Sequence, residues 1–350
     1  MSLALAPLGM LYGAAARARL RLYRSGFLKS ERVGAPVVSV GNLTAGGTGK
    51  TPLVEWAAKA LAREGLRACV LTRGYGRADE GRRVVASDGA RVLAEVSECG
   101  DEPRLLAERL LGAAAVVCDR DRVAAARWAR AELGAEVFVL DDGFQHLRIA
   151  RDFDLVTLDA TAPWGGGHML PRGRLREPAS GLARADCVVI TRAELAEDIE
   201  GLRAEVARMS EGRAAVFTSR ARGLSLTPLS GYGRAVADDK AELIPKGSAG
   251  AFCAVGNPRA FFENLRRGGF GLRYERAFPD HHPYGQADVE SVEREAAARG
   301  AEVLLTTAKD AVKLRGLDFA LPCYVVETVS EFDEEARLLG LLRAAVPAKR

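Results

Sequence analysis

Short, almost continuously apolar runs alternate with longer stretches of helical period along most of the chain. The runs Pro36–Val40, Ala68–Thr72, Ala114–Cys118, Glu136–Leu140, Asp154–Leu158 and Cys187–Thr191 read as strands. Between them, Lys50–Arg63, Pro103–Leu111, Arg122–Leu133 and Ala193–Met209 read as helices. Strands apolar on both faces and separated by helices predict a parallel sheet covered on both sides. From about Ser219 to Gly250 the pattern weakens, and Gly231–Lys246 is polar and turn-rich, as a linker or hairpin would be. A second series follows: strand Ala251–Val255, helix Arg259–Arg267, strand Leu272–Phe278, helix Ala287–Ala298, then strands Val303–Thr306 and Cys323–Val326. Glu331–Ala344 closes the chain as a helix expected to pack back on the first unit. The expected class is α/β: a parallel sheet with helices on both faces, plus a second, smaller α/β domain. The expected division is 1–25 (surface helix), 26–222 (first domain), 223–250 (linker or hairpin), 251–328 (smaller domain) and 329–350 (final helix).

The first stretch breaks this rhythm. Met1–Ala16 carries no charged side chain, and Arg17, Arg19, Arg21 and Arg24 follow it. A secretory signal places its positive charges before the apolar stretch, so the order is wrong for one. The stretch is shorter than the ~20 residues a spanning helix needs, and it contains Pro7, Gly9 and Gly13. A buried first helix and an interfacial helix with arginines at anionic headgroups both remain open.

Composition narrows the field. The chain has 350 residues, 48% apolar and 27% charged, and so can fold without staples. Net charge is 50 − 46 = +4, too mild to argue for nucleic acid. Basic residues are 42 Arg and only 8 Lys, which makes Lys50, Lys309 and Lys313 more informative. The six cysteines form no CxxC pair, and they read as small buried hydrophobes in a reducing compartment.

Chemistry enters at Val38–Pro52, where an apolar strand runs through Thr44-Ala45-Gly46-Gly47-Thr48-Gly49-Lys50-Thr51 into a helix. Glycines let successive N–H groups face phosphate oxygens, and the helix N-terminus adds positive potential. Lys50 would reach the β- and γ-phosphates, and the Thr51 hydroxyl would ligate Mg²⁺. The first glycine of the usual P-loop pattern is replaced by Thr44. Asp141 and Asp142 follow an apolar strand, where a second Mg²⁺-organising carboxylate belongs. Asp101 precedes a periodic helix with Pro103 in its first turn, which suits an N-cap, a catalytic group or both. His281 and His282 lie in a polar turn that could be structural. Arg73, Arg77, Arg172, Arg174 and Arg176 suit phosphate recognition or plain surface charge. Lys309, Asp310 and Lys313 open a helix after strand Val303–Thr306 and could serve nucleotide binding or only cap that helix.

Taken together, VGNLTAGGTGKTP, LTRGYGR (Leu71–Arg77), GDEP (Gly100–Pro103), DDGFQH (Asp141–His146), LPRGRLREP (Leu170–Pro178), DHHPY (Asp280–Tyr284) and TTAKDAVK (Thr306–Lys313) come in one order. This set closely resembles the tetraacyldisaccharide 4′-kinase family, the lipid A 4′-kinases of Gram-negative bacteria. The resemblance implies a P-loop kinase at the cytoplasmic face of the inner membrane. It implies transfer of the ATP γ-phosphate, with Mg²⁺, to the 4′-hydroxyl of a tetraacyl disaccharide 1-phosphate. Thr44–Thr51 match the ATP loop, and Thr51, Asp141 and Asp142 match the Mg²⁺ side. Asp101 matches the candidate base, and His281 matches the histidine facing it across the cleft. Arg73, Arg77, Gln145, His146, Arg172 and Glu177 fall in motifs lining the cleft. Leu-Pro-Arg stands where the family leads one to expect Leu-Pro-Ala, and extra residues sit around Ala237–Lys246. The implied partners are the lipid A precursor and an anionic membrane surface, with no nucleic acid and no obligate protein partner. Two rivals share the loop. One is a partner-switching P-loop ATPase, against which Ala45 counts because that class carries a lysine there. The other is a soluble small-molecule kinase or ligase, for which the first 24 residues are unexpected.

Overall fold

The computed structural model describes residues 5–77, 79–232 and 248–346. Helix α1 (Ala6–Arg24) precedes a P-loop half made of strands β1 (Val37–Asn42), β2 (Ala68–Thr72), β3 (Val84–Ser87), β4 (Ala114–Cys118), β5 (Val137–Asp141), β6 (Phe153–Asp159), β7 (Cys187–Thr191) and β8 (Ala215–Pro228). Its helices are α2 (Lys50–Arg63), α3 (Val96–Cys99), α4 (Asp101–Arg109), α5 (Arg122–Glu132) and α6 (Ile199–Met209). The smaller half holds β9 (Ala249–Cys253), α7 (Pro258–Arg267), β10 (Leu272–Ala277), α8 (Gln286–Ala297), β11 (Val303–Thr307), α9 (Ala308–Leu314) and β12 (Cys323–Phe332), and α10 (Glu335–Ala345) ends the described chain.

Strand order is β10-β9-β11-β12-β8-β7-β6-β1-β5-β2-β4-β3. Strands β8 through β4 of the first half run parallel, as their all-buried pattern predicts, and β3 adds an antiparallel edge. Strand β1 lies between β5 and β6, so the chain crosses from one side of the sheet to the other at its end. Open α/β sheets bind ligands at that point. Core clusters fill both faces: Leu53, Val54 and Leu61 of α2 pack on one, and Val123, Ala126 and Ala129 of α5 on the other. On α10, Leu338 and Leu342 join the α2 face, and Trp56 Nε1 donates to Glu335 at 2.8 Å.

Several elements differ from expectation. Strand β8 pairs with β7 over Ala215–Thr218 and continues as one arm of a ribbon, Ser219–Pro228 against Tyr324–Phe332 of β12. Around residues 220–223 and 328–331 the ribbon is largely exposed and carries no apolar period, so the pattern faded at Ser219 although the strand did not. For the same reason β12 outruns its expected end at Val326, and the last helix starts at Glu335 rather than Glu331. Edge strand β3 is too short to register. The expected linker at Gly231–Lys246 and the extra residues at Ala237–Lys246 lie almost wholly outside the described residues.

Helix α1 lies on the surface. Leu8, Met10 and Leu11 are 53%, 70% and 68% exposed, which overturns the buried-helix alternative. Gly9 and Gly13 face inward, and a Cβ at Gly9 would stand 3.2 Å from the Met169 carbonyl oxygen. Small residues thus let the helix lie close on the 169–172 loop. Among the described residues no helix is long and apolar enough to cross a membrane. All six cysteines are buried and free.

Candidate active site

A cleft of about 740 Å³ opens between the halves. Its floor on one side is the loop Thr44–Thr51, and its far wall carries Asn257, Phe261, His281 and Lys309. Gly46 (φ 109°) and Gly49 (φ 78°) adopt backbone that favours glycine, and a Cβ at Gly46 would run into the Arg174 guanidinium. Arg174 Nε donates to Ala45 O at 2.8 Å, and Arg192 Nη2 donates to Gly47 O at 3.2 Å. Two arginines therefore brace the loop from outside. Thr48 faces the interior, where its hydroxyl meets Thr157 Oγ1 at 2.9 Å. Lys50 Nζ donates to Asn42 Oδ1 at 3.3 Å and lies 3.6 Å from Asp142.

The acidic pair divides by environment. Asp142 (φ 53°) is gripped by both Arg176 nitrogens, at 2.7 and 2.8 Å. Burial opposes its ionisation, but Lys50 and Arg176 outweigh burial and hold the carboxyl below the usual range. Asp141 accepts the Thr72 hydroxyl at 2.9 Å, and Lys50 offsets its burial only in part. Burial, with Glu102 and Asp142 nearby, pushes its carboxyl up to about 6. A buried carboxylate in surplus negative charge, beside a phosphate loop, suits a cation arriving with a nucleotide. Among the described residues no cluster of three or more His, Cys, Asp or Glu could hold a metal alone. Thr51, one carboxylate, phosphate oxygens and water are the usual Mg²⁺ set beside such a loop, and the residues present fit it.

Across the cleft, His281 Nδ1 stands 2.9 and 3.0 Å from the two Asp101 oxygens. Asp101 starts α4 in the P-loop half and is buried, while His281 sits in the smaller half with φ 63°. Unfavourable backbone is kept where surrounding contacts enforce it, and sites of function are such places. Lys309 Nζ reaches Glu102 at 2.9 Å, Asp280 at 3.1 Å and His281 Nε2 at 3.3 Å. Lys313 Nζ is 3.5 Å from Asp101 and 3.1 Å from Asp310. Burial raises the Asp101 carboxyl, but His281 and both lysines overcome it and hold it low. The Asp101 hydrogen bond in turn raises His281. His281 lines the cleft, and Asp101 stands directly behind it.

Other expected positions move. Arg77 turns inward and donates to the carbonyls of Glu80, Arg82 and Cys118, so its guanidinium braces a loop rather than facing a ligand. Arg172 packs under α1 beside Gly9, away from the cleft lining. Gln145, Glu177 and His146 lie one layer behind it. Gln145 Nε2 donates to Asn42 O at 2.9 Å and to Glu177 at 2.6 Å, and Arg184 clamps Glu177. His146 is pushed down to about 4 by burial and by Arg122 and Arg19. Arg73 does line the cleft, over the ring of Tyr75. Asn42, Thr72 and Glu102, present in the motifs but without an assigned role, also belong to the site, as do Arg122 and Arg192, which escaped the sequence reading. Their only signal is position, at strand ends and helix starts along one sheet edge.

Comparison with known proteins follows the same lines. The family model described as tetraacyldisaccharide-1-P 4′-kinase matches residues 1–346. A tetraacyldisaccharide 4′-kinase from Anaeromyxobacter dehalogenans (strain 2CP-C) is 46% identical over 321 residues, covering 88% of this chain and 83% of that protein. One from Pelobacter propionicus is 42% identical, covering 89% and 83%. The crystal structure of LpxK from Aquifex aeolicus in complex with ATP superposes with a TM-score of 0.76 at 30% identity, covering 98% of both chains.

Proposed function

The chain belongs to the tetraacyldisaccharide-1-P 4′-kinase family, and from that premise we propose how its residues carry out the reaction. It is an ATP-dependent kinase of lipid A biosynthesis that phosphorylates the 4′-hydroxyl of a tetraacylated glucosamine disaccharide 1-phosphate. Family membership sets aside both the partner-switching ATPase and the soluble small-molecule kinase. In the proposed assignment, the N–H groups of Gly46–Thr51 cradle the ATP phosphates and Lys50 reaches the β- and γ-oxygens. Mg²⁺ held by Thr51 and Asp141 would neutralise charge on those oxygens. Asp142, clamped by Arg176, keeps Lys50 aimed at the loop.

The acceptor oxygen attacks the γ-phosphorus, the bond to the β–γ bridging oxygen breaks, and ADP leaves. The hydroxyl proton passes to the Asp101–His281 pair. An ionised carboxylate behind a histidine orients the ring and stabilises the charge it takes up. Arg73, which lines the cleft and also bonds the Tyr75 hydroxyl at 2.9 Å, is placed to meet the anionic acceptor, while Arg122 is buried and donates to the Asp119 and Arg120 carbonyls. We assign 26–222 and 251–328 as the two bodies that close on each other and the 219–228 ribbon as their joint.

The site of action is proposed as the cytoplasmic face of the inner membrane, bound peripherally through α1. The exposed Leu8, Met10 and Leu11, followed by exposed Arg17, Arg19, Arg21 and Arg24, support it. The observation that carries the mechanism is the Asp101–His281 contact across a cleft floored by the phosphate loop. Label transfer from γ-labelled ATP to a tetraacyl disaccharide 1-phosphate tests it. Phosphorylated lipid is expected, with little ATP consumed when the lipid is left out. Hydrolysis at the same rate without lipid would return the partner-switching reading.

A further inference from the structure

The run Ala308-Lys309-Asp310-Ala311-Val312-Lys313 has no part in the reaction as described so far. Lys309 and Lys313 are one helical turn apart on α9 and share a face. That face meets the start of α4. Lys309 Nζ stands 3.3 Å from His281 Nε2, and Lys313 Nζ stands 3.5 Å from Asp101 Oδ2. The two ammonium groups bracket the Asp101–His281 pair, one at each end.

Lys313 is the deeper of the two, with its side chain 7% exposed. A buried ammonium needs a counter-charge. Asp310, fully buried and 3.1 Å away on the same helix, supplies one. Asp310 is itself pinned, its Oδ2 accepting the Ala254 N–H at 3.1 Å and the Thr307 hydroxyl at 2.6 Å. The Lys313–Asp310 pair is therefore neutral and anchored wholly within the smaller half. Nothing in that anchoring requires Asp101, yet Lys313 presents its charge to Asp101 in the other half.

We propose that Lys313 is a positioning residue for the Asp101–His281 pair, carried in by the smaller half to fix the Asp101 carboxylate in its reactive orientation. The proposal rests on the role assigned to that pair. The charged and titratable groups around Asp101 are Glu102 on α4, Asp280 and His281 on the facing turn, Lys309, Asp310 and Lys313 on α9, and Tyr284 beyond Lys313. Lys309 balances Glu102 and Asp280, and Asp310 balances only part of Lys313's reach. Removing Lys313 thus withdraws one of the two lysine charges that act on Asp101 and leaves Lys309 as the other. Both Asp101 and His281 then take up protons at higher pH.

The test compares the full-length enzyme with Lys313→Met and Lys313→Arg, reading kcat, KM for ATP and the NMR titration of the His281 ring. Lys313→Met is expected to lower kcat by about tenfold or more with KM for ATP unchanged, and to move the His281 titration up by about half a pH unit or more. Lys313→Arg is expected to restore the titration. A lysine that served only packing would leave the titration in place, so an unmoved His281 overturns the proposal. Lys313→Met/Asp310→Asn removes both buried charges together and avoids stranding Asp310, and a smaller upward shift is expected of it, because the lost anion offsets part of the lost cation. Asp101→Asn run in parallel separates the two readings. Near-normal kcat there overturns the pair and this proposal with it, whereas a large loss there with an unmoved His281 in Lys313→Met overturns Lys313 alone.

Discussion

Lys50 stands at the start of α2 with its ammonium turned back toward Asn42 and Asp142. Its side chain is 19% exposed and supplies charge to the loop and to Asp142. Lys50→Ala is expected to abolish label transfer while leaving the circular dichroism nearly unchanged. A fully active Lys50→Ala enzyme would contradict the phosphate-loop assignment. Asp141 carries a sharper expectation, because burial lifts its carboxyl to about 6 in the folded chain, against about 3.9 unfolded. Between those values the folded state holds a proton that the unfolded state has lost, so stability falls as pH rises through that window. Above it the full cost of a buried, ionised carboxylate remains. Asp141→Asn should therefore stabilise the ligand-free protein at neutral pH by on the order of 1–3 kcal/mol. It should also flatten the dependence of the unfolding midpoint between mildly acidic and neutral pH, while transfer falls by about 10²-fold or more. An Asn variant less stable than the parent at neutral pH would show that Asp141 is already compensated. The roles of residues such as Asn42 and Thr72 were not legible in the sequence, although both lie in its motifs. A strand-end amide or hydroxyl gains its role only when the sheet sets it beside Lys50 or Asp141.

Helices and strands with a buried face were largely readable, because burial imposes a period. Lys50–Arg63 and Ala68–Thr72 coincide with α2 and β2 to the residue. The β8–β12 ribbon was not readable, since its length is set by partner hydrogen bonds rather than by a core. The pairing of α4 with α9 was invisible for another reason. Its contacts, Glu102 with Lys309 and Glu108 with Arg315 at 2.7 Å, join residues about 200 positions apart, and only the assembled sheet brings them together. Helix α1 showed its order of apolar and basic segments in the sequence, while the structure decided which side is exposed. Deleting residues 1–24 is expected to weaken binding to anionic vesicles in a co-sedimentation assay. Salt is expected to weaken binding of the full-length chain, because headgroup attraction is screened over about 10 Å at 0.1 M. Equal sedimentation of both forms would mean that α1 is not the anchor.

The whole molecule is two α/β halves joined by a ribbon, with phosphate-binding groups on one and the histidine on the other. Neither half holds a complete site. In the proposed mechanism, Asp101 and His281 meet across the cleft, so proton acceptance would depend on how the smaller half sits against α4. Along the chain, the phosphate-loop motif comes early and the histidine motif about 230 residues later. The distances across the cleft did not follow from sequence, because nothing local requires residues 101 and 281 to touch. A double-mutant cycle on transfer kinetics measures that contact directly, with kcat read from labelled ATP and the tetraacyl disaccharide acceptor. Asp101→Asn and His281→Ala are each expected to lower kcat by about 10²-fold or more, with ATP binding nearly unchanged. Residues that act as a unit are not additive. The double variant should therefore lose far less than the product of the two single losses. Strictly multiplicative losses, or near-normal kcat in Asp101→Asn, would contradict the shared site.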